Sequence, residues 1–311
     1  MNEERITSDS QNLSTQVSSG TIARRGFLNR LAAATGATVA GSTAGMVVGA
    51  PAAKAQDESS PSASDIQTLQ TILNNEYMEA EFYHRAVFGI GLPPEDTTGP
   101  GAAGPVIVGK ETKIDFPSDA IEAIARFLAT DELAHVTGAR FILNSFGVTP
   151  PARPTIDLTG GFQMLGKLAN IGDDFNPFNN ERDFLVAAYF FEENSSQVLR
   201  GFLGTTSFIP LLSTLGGRLG AEAFHGGNVR MALVIANEFE RANRIAQLRN
   251  SLINRPSPTD PGLGTREEPI LEPVSAGVIF DRTLREQLNV LYFAVNANAG
   301  GFFPNGVNIV S

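Results

Sequence analysis

The chain has 311 residues, 42% hydrophobic and 18% charged, with 23 basic against 33 acidic side chains and a net charge of −10. That length supports one large domain or two small ones, and an acidic body without a basic cluster excludes a nucleic-acid binder, which neutralises phosphates with Lys and Arg. The absence of cysteine excludes disulfide frameworks, zinc fingers, iron–sulfur ligation and thiol catalysis, and with only His84, His135 and His225 available any metal site must be built mainly from carboxylates.

In chain order, the first feature is an address. Arg24–Arg25 followed by Phe27 and Leu28 resembles a twin-arginine export signal, and residues 31–50 are Gly-, Ala- and Thr-rich without any charge, as in a signal core rather than a membrane-spanning helix. Ala53–Lys54–Ala55 then offers a cleavage site. Residues 1–55 are therefore expected to be removed, which leaves 256 residues with 18 basic and 30 acidic side chains. The product is then expected to be periplasmic or extracellular, with no membrane attachment after cleavage.

Residues 56–64 are a polar linker. Ser64 or Asp65 is expected to cap a helix from Ile66, whose stripe of Leu69, Leu73, Ala80, Tyr83 and Val87 also carries Glu76. Glu79 lies to the side of that stripe, an outer-shell candidate. Glu81 falls on the opposite face, read as solvated, and His84 is read as a surface histidine. Gly89 and Pro93 end the helix and open a Gly/Pro-rich stretch in which only Val106–Val108 looks extended. Gly99–Gly104 lacks the spacing of a phosphate loop.

A second helix, about 120–146, carries Ile121, Ala125, Leu128, Glu132, His135, Ala139 and Ile142 on one stripe. An irregular connection over 147–180 follows. A third helix, about 181–203, carries Phe184, Ala188, Phe191, Glu192, Ser195 and Leu199, an alignment that favours Glu192 over Glu193. A fourth, about 209–246, carries Glu222 and His225 and is expected to break at Gly216–Gly217 or Gly226–Gly227. Residues 251–311 form a C-terminal extension, irregular except for a short helix within 282–296. The phenylalanines read as core filler for loops packed over the helices.

Along the four helices the acids and histidines run Glu76; Glu132-x-x-His135; Glu192; Glu222-x-x-His225. Residues three apart share a helix face one turn apart, so each Glu-x-x-His pair can reach one ion or two adjacent ions. Four carboxylates in a bundle core would repel or take up protons, and two divalent cations cancel their charge. This is a ligand set known from bundles that hold two iron or manganese ions.

With these residues in hand, the chain resembles the ferritin-like superfamily. Asn75–Glu76–Tyr77 with Tyr83 looks like the first ferritin helix, where a buried tyrosine neighbours the metals. Phe191–Glu192–Glu193–Asn194 with Gln197 and Leu199 looks like the third. Glu222–Ala223–Phe224–His225–Gly226–Gly227–Asn228–Val229–Arg230 and the closing run from Gly300 to Gly306 look like the desiccation-related ferritin-like proteins of plants and bacteria.

The resemblance implies an all-α, antiparallel four-helix bundle over 65–250, with a long crossover, long irregular loops and the extension 251–311 packed on it. It implies a carboxylate-bridged pair of Fe or Mn ions held by Glu76, Glu132, His135, Glu192, Glu222 and His225, with Glu132 and Glu222 as bridges. Tyr83 stands either as a redox-tuning group or as a plain buried phenol. The expected activity is peroxide handling or Fe(II) oxidation with H2O2 or O2 as oxidant. The alternative is a structural, stress-protective bundle with a structural or vestigial metal site. The long first loop and the extension argue against a 24-subunit shell, and a smaller homo-oligomer stays open.

Overall fold

The computed structural model describes residues 60–310 apart from 207 and 276; the export signal and the linker up to residue 59 lie outside the described residues. The ordered elements are α1 (Ala63–Phe88), β1 (Val106–Ile107), α2 (Asp119–Ser145), β2 (Ile156–Asp157), α3 (Leu158–Leu168), α4 (Glu181–Leu203), α5 (Ile209–Ala236), α6 (Phe239–Ile253), β3 (Val274–Ser275), β4 (Val278–Ile279) and α7 (Leu284–Tyr292). β1 pairs with β2 in parallel and β3 with β4 antiparallel. Among the described residues no helix is long and apolar enough to cross a membrane.

Local chemistry sets the helix starts. Ser62, not Ser64 or Asp65, caps α1: its hydroxyl accepts from Asp65 N while the Asp65 carboxylate accepts from Ser62 N, a reciprocal box that satisfies two otherwise orphaned donors. Ser118 caps α2, and Asn180 caps α4 by accepting from the backbone of Arg182 and Asp183. The fourth predicted helix is two helices. It does not break at its glycines but at Asn237, which takes φ 60° at the end of α5, a left-handed conformation that Asn tolerates.

α1, α2, α4 and α5 form the bundle. α1 runs antiparallel to α4, since Asn75 meets Ser195 while Phe82 meets Phe184. α2 runs antiparallel to α5, with Phe127 at Phe224 and the backbone of His135 at Arg218. The N-termini of α2 and α4 lie together, where Ser118 N donates to Glu181 at 3.0 Å. The 146–180 segment therefore returns the length of the bundle, the long crossover of this architecture. It holds a helix that the sequence reading missed: α3 is Gly-rich, but Cβ atoms at Gly161 and Gly166 would collide with the Phe302 ring and with Gly172 O.

A phenylalanine knot ties crossover and C-terminus to the core. Phe82, Phe162, Phe191 and Phe302 pack in tilted and edge-on pairs with centroids 5.0–5.7 Å apart, and such pairs add about 0.5–1.5 kcal/mol each beyond area burial. The last residues are clasped to α1 by reciprocal amide bonds, Gln70 to the backbone of Val310 and Asn74 to the backbone of Asn308. α6 and α7 pack on α4, so α4 is buried all round from Phe184 to Leu199, as expected of a central rather than a surface helix. At Gly201 a Cβ would stand 2.0 Å from the carbonyl oxygen of Arg282. Gly201→Ala is therefore expected to cost about 1–3 kcal/mol, read as a lower urea midpoint.

Covering α1 overturns one expectation. Glu81 is not solvated but fully buried, paired with Arg85 at 3.0 Å and with Arg153 from the crossover. His84 is half-buried against Phe88, away from the other histidines.

Candidate metal centre

Each of the four bundle helices turns acid inward at the same level. Glu76, Glu132, Glu192, Glu222 and His225 are at most 1% exposed and His135 is 8% exposed, in a region where unpaired charges are expensive. The carboxylate oxygens sort into two groups, each around one imidazole nitrogen. His225 Nδ1 lies 3.1 Å from Glu132 Oε1, 3.3 Å from Glu192 Oε2 and 3.7 Å from Glu222 Oε2. His135 Nδ1 lies 3.0 Å from Glu222 Oε1, 3.3 Å from Glu132 Oε2 and 3.5 Å from Glu76 Oε2. Glu132 and Glu222 thus give one oxygen to each group, whereas Glu76 and Glu192 serve one each. The two rings stack with centroids 5.4 Å apart.

The hydrogen-bond inventory tests whether a cation fits. Glu76 Oε2, Glu132 Oε1, Glu192 Oε2, both oxygens of Glu222 and His225 Nδ1 are buried without a hydrogen-bond partner. Buried polar atoms are normally paired, so six converging, unsatisfied atoms of donor-poor groups ask for a cation. Ligand atoms of Glu132, His135, Glu222 and His225 lie within 4.8 Å of one another, as do those of Glu76, Glu79 and Glu132. Carboxylate and imidazole are ligands suited to first-row divalent metals.

The electrostatics point the same way. Burial, opposed by Arg218, lifts Glu76 to about 7. Burial, opposed by His225, lifts Glu192 to about 8. Burial and Glu132 work against ionisation of Glu222, but His135 and His225 outweigh them and hold it at about 2. Burial lowers the affinity of both imidazoles for protons, yet the facing carboxylates raise them well above the ordinary histidine value. So much acid in one dry place demands positive charge; protons on the imidazoles supply part of it, and divalent cations, which displace those protons, can supply all of it.

The surroundings hold the ligands in place. Tyr83 donates a short hydrogen bond to Glu192 Oε1; burial and Glu192 push the phenol well above its ordinary value, so it remains a donor. Glu79 is within reach of Glu76 and Glu132, but both of its oxygens already accept hydrogen bonds, from Ser195 Oγ at 2.7 Å and Asn75 Nδ2 at 2.8 Å, and neither faces an imidazole nitrogen as the six oxygens above do. Glu193 points away and pairs with Arg230 at 2.6 Å.

Two residues escaped the sequence reading. Asp131 Oδ2 is 2.8 Å from His225 Nε2, a hydrogen bond that holds His225 with its Nδ1 turned inward, but 3.9 Å from His135 Nε2. Arg218 Nη2 lies 2.7 Å from Glu76 Oε2, and its Nη1 donates to His135 O at 3.1 Å. Spacing could have found both: Asp131 is one turn before His135, and Arg218 one turn before Glu222.

Fold and site together define a class: a four-helix bundle whose facing helices present two glutamates and two Glu-x-x-His pairs to a common centre. The chain belongs to the family described as the ferritin-like domain, matched over residues 64–234. Among curated proteins it is similar to "Ferritin-like catalase Nec2" of Nesocodon mauritianus, 28% identical over 79% of this chain and 84% of that protein. It is also similar to "Desiccation-related protein PCC13-62" of Craterostigma plantagineum, 29% identical over 61% of this chain and 62% of that protein. No solved structure matches the chain.

Proposed function

We propose that the protein is an exported, stress-protective oxidoreductase with a carboxylate-bridged dinuclear iron or manganese site that turns over H2O2 or uses O2 or H2O2 to oxidise Fe(II). The observation that carries this reading is the division of the ligand atoms into two groups that share Glu132 and Glu222 and have one imidazole nitrogen each. Its similarity to a protein named a ferritin-like catalase supports the peroxide arm. When bound, a pair of such metals cycling between +2 and +3 supplies the two electrons that disproportionation of H2O2 to water and O2 requires.

The protein's own part is positioning. Glu132 and Glu222, each with one oxygen in either group, would be the residues that hold both ions. Asp131 and Tyr83 hold His225 and Glu192 in their rotamers. Asp131 is the most exposed polar group of the cluster, its side chain 35% exposed, and it is flanked by Phe127, whose ring meets His225 edge-on at 5.1 Å, and by Phe224. In this reading a small oxidant would enter from this side, the most exposed edge of the cluster. Elemental analysis of protein purified after cytoplasmic folding, coupled to an H2O2 turnover assay with and without a reductant, tests the reading. Fewer than one transition metal per chain sinks it.

Tyr83→Phe removes the donor to Glu192 while keeping the ring. The expected result is about a tenfold loss in metal affinity or turnover, with the free energy of urea unfolding lowered by only about 1 kcal/mol. Unchanged affinity and turnover would reduce Tyr83 to a packing residue. Export follows from Arg24 and Arg25: changing both to Lys is expected to leave the precursor in the cytoplasm, whereas N-terminal sequencing of the exported wild-type protein is expected to begin at Gln56. The similarity to a desiccation-related protein favours a second reading, in which the bundle protects structurally and the metal only stabilises it.

A further inference from the structure

The two ligand groups are nearly mirror images in composition, one imidazole nitrogen and three carboxylate oxygens each, but their neighbours are not. The His135 group has a resident cation. Arg218 is nine-tenths buried, with its side chain 9% exposed, and its Nη2 stands 2.7 Å from Glu76 Oε2 while its Nε is 4.0 Å from Glu222 Oε1. Neither Nη2 nor Nε finds a hydrogen-bond acceptor, so these contacts are ones of charge. The guanidinium is tethered from the other side by its bond to His135 O. Among the described residues no arginine ion pair is formed with the oxygens that face only His225; there the neighbouring group is Asp131, 2.8 Å from His225 Nε2 but 3.9 Å from His135 Nε2. A carboxylate on the far nitrogen of an imidazole fixes its tautomer and raises its strength as a ligand. A fixed positive charge beside a cation site weakens it, more so in a buried setting.

We propose that the two metal positions are unequal by construction: the His225 position fills first, and Arg218 acts as a built-in competitor that keeps the His135 position weak until a second cation takes Glu76 from it. This rests on the dinuclear reading and adds an order of loading to it. At low metal supply the protein then carries a single ion, held by His225, Glu192 and one oxygen each of Glu132 and Glu222. The pair that a two-electron reaction needs forms only when metal is plentiful. Arg218 is a positioning residue in this scheme; it touches Glu76 and the backbone of His135.

The test is a titration of the metal-stripped full protein with Mn(II) under anaerobic conditions, followed by calorimetry and by electron paramagnetic resonance. In the wild type the first equivalent is expected to give the spectrum of an isolated Mn(II) ion and the second to convert it to that of a coupled pair, with dissociation constants at least about tenfold apart. Arg218→Gln is expected to bring the two constants within about threefold, so that coupled spectra appear from the first additions. Arg218→Met, also uncharged, is the second variant should the first misfold by circular dichroism. Asp131→Asn is expected to weaken the first step by about 10–100-fold. Equal constants in the wild type, or a gap untouched in both Arg218 variants, would overturn the proposal while leaving a dinuclear site in place. A wild type that binds no Mn(II), or binds it undiminished after Glu132→Ala, would overturn the dinuclear reading itself.

Discussion

The Glu132→Ala/His135→Ala protein is expected to retain its fold and lose both metals. Glu132 is shared by the two groups of oxygens, so its removal takes an oxygen from each, and His135 supplies the imidazole nitrogen of the second. Bound transition metal is expected to fall from about two per chain to near background, and peroxide turnover by at least about a thousandfold, some 4 kcal/mol of barrier. The fold survives because the acid and the imidazole leave together: Glu132 Oε2 and His135 Nδ1 face each other at 3.3 Å, and replacing both members of a buried pair by apolar groups is often near neutral, whereas removing one of them alone is not. Thermal unfolding with and without metal separates the readings. A site that binds only the native state stabilises by about 4 kcal/mol at a metal concentration a thousandfold above Kd, so the wild-type Tm is expected to rise on adding metal and that of the double variant to stay still. Turnover that survives the substitution, with only the metal-dependent rise in Tm lost, would assign the protein to the structural class.

The six acids and histidines that converge in the core lay open in the sequence because they obey two periodicities at once. Each interrupts an apolar 3.6-residue stripe with an acid or a histidine, and two of the helices repeat the same three-residue offset. α4 was equally legible, since Asn180 caps it and its pattern is unbroken to Leu203. What stayed hidden depends on partners far along the chain. Glu81 falls on the face that an amphipathic reading assigns to solvent; its partner Arg153 is 72 residues away in the crossover. α3 was masked by glycines whose reason is packing against Phe302 and Gly172. The break at Asn237 rather than at Gly216–Gly217, which are exposed with open space around them, or at Gly226 shows that helical glycine is a tolerable loss of about 1 kcal/mol, whereas a left-handed residue ends the helix outright. Arg218, one turn before Glu222, was within reach of the same spacing argument, but an arginine among acids runs against the simplest charge balance of such a centre; its contact with Glu76 at 2.7 Å gives it its place.

A second substitution is expected to damage the fold and spare the site. Asp260→Ala removes the carboxylate that holds two arginines in the interior. Asp260 Oδ2 accepts from Arg249 Nε at 2.5 Å and from Arg282 Nη2 at 3.3 Å, and Oδ1 accepts from Gly262 N at 3.2 Å; all three charged side chains are wholly buried. Arg249 lies 4.4 Å over the Tyr189 ring and donates to Tyr189 O, and Arg282 donates to Asn194 Oδ1, so the cluster fastens α6 and the C-terminal segment to α4. Burial already draws Arg282 down to about 10 with Asp260 in place. Breaking such a cluster from one side strands buried charge and costs about 3–5 kcal/mol, which for a domain of this size corresponds to a fall in Tm of about 10 °C. Metal stoichiometry is expected to be unchanged, because Asp260 touches none of the six ligands. Acid gives an independent check on the wild type. Burial raises the Asp260 carboxyl, but Arg249 and Arg282 overcome it and hold the group at about 2, against an ordinary 3.8. A folded-state value below the unfolded one contributes stability that is complete above about pH 4 and is lost as the pH falls through 2, here about 2 kcal/mol. Urea midpoints measured between pH 5 and pH 2 are therefore expected to fall more steeply for the wild type than for Asp260→Asn, which starts lower and lacks this titration. Parallel curves would show that the arginines find their counter-charge elsewhere.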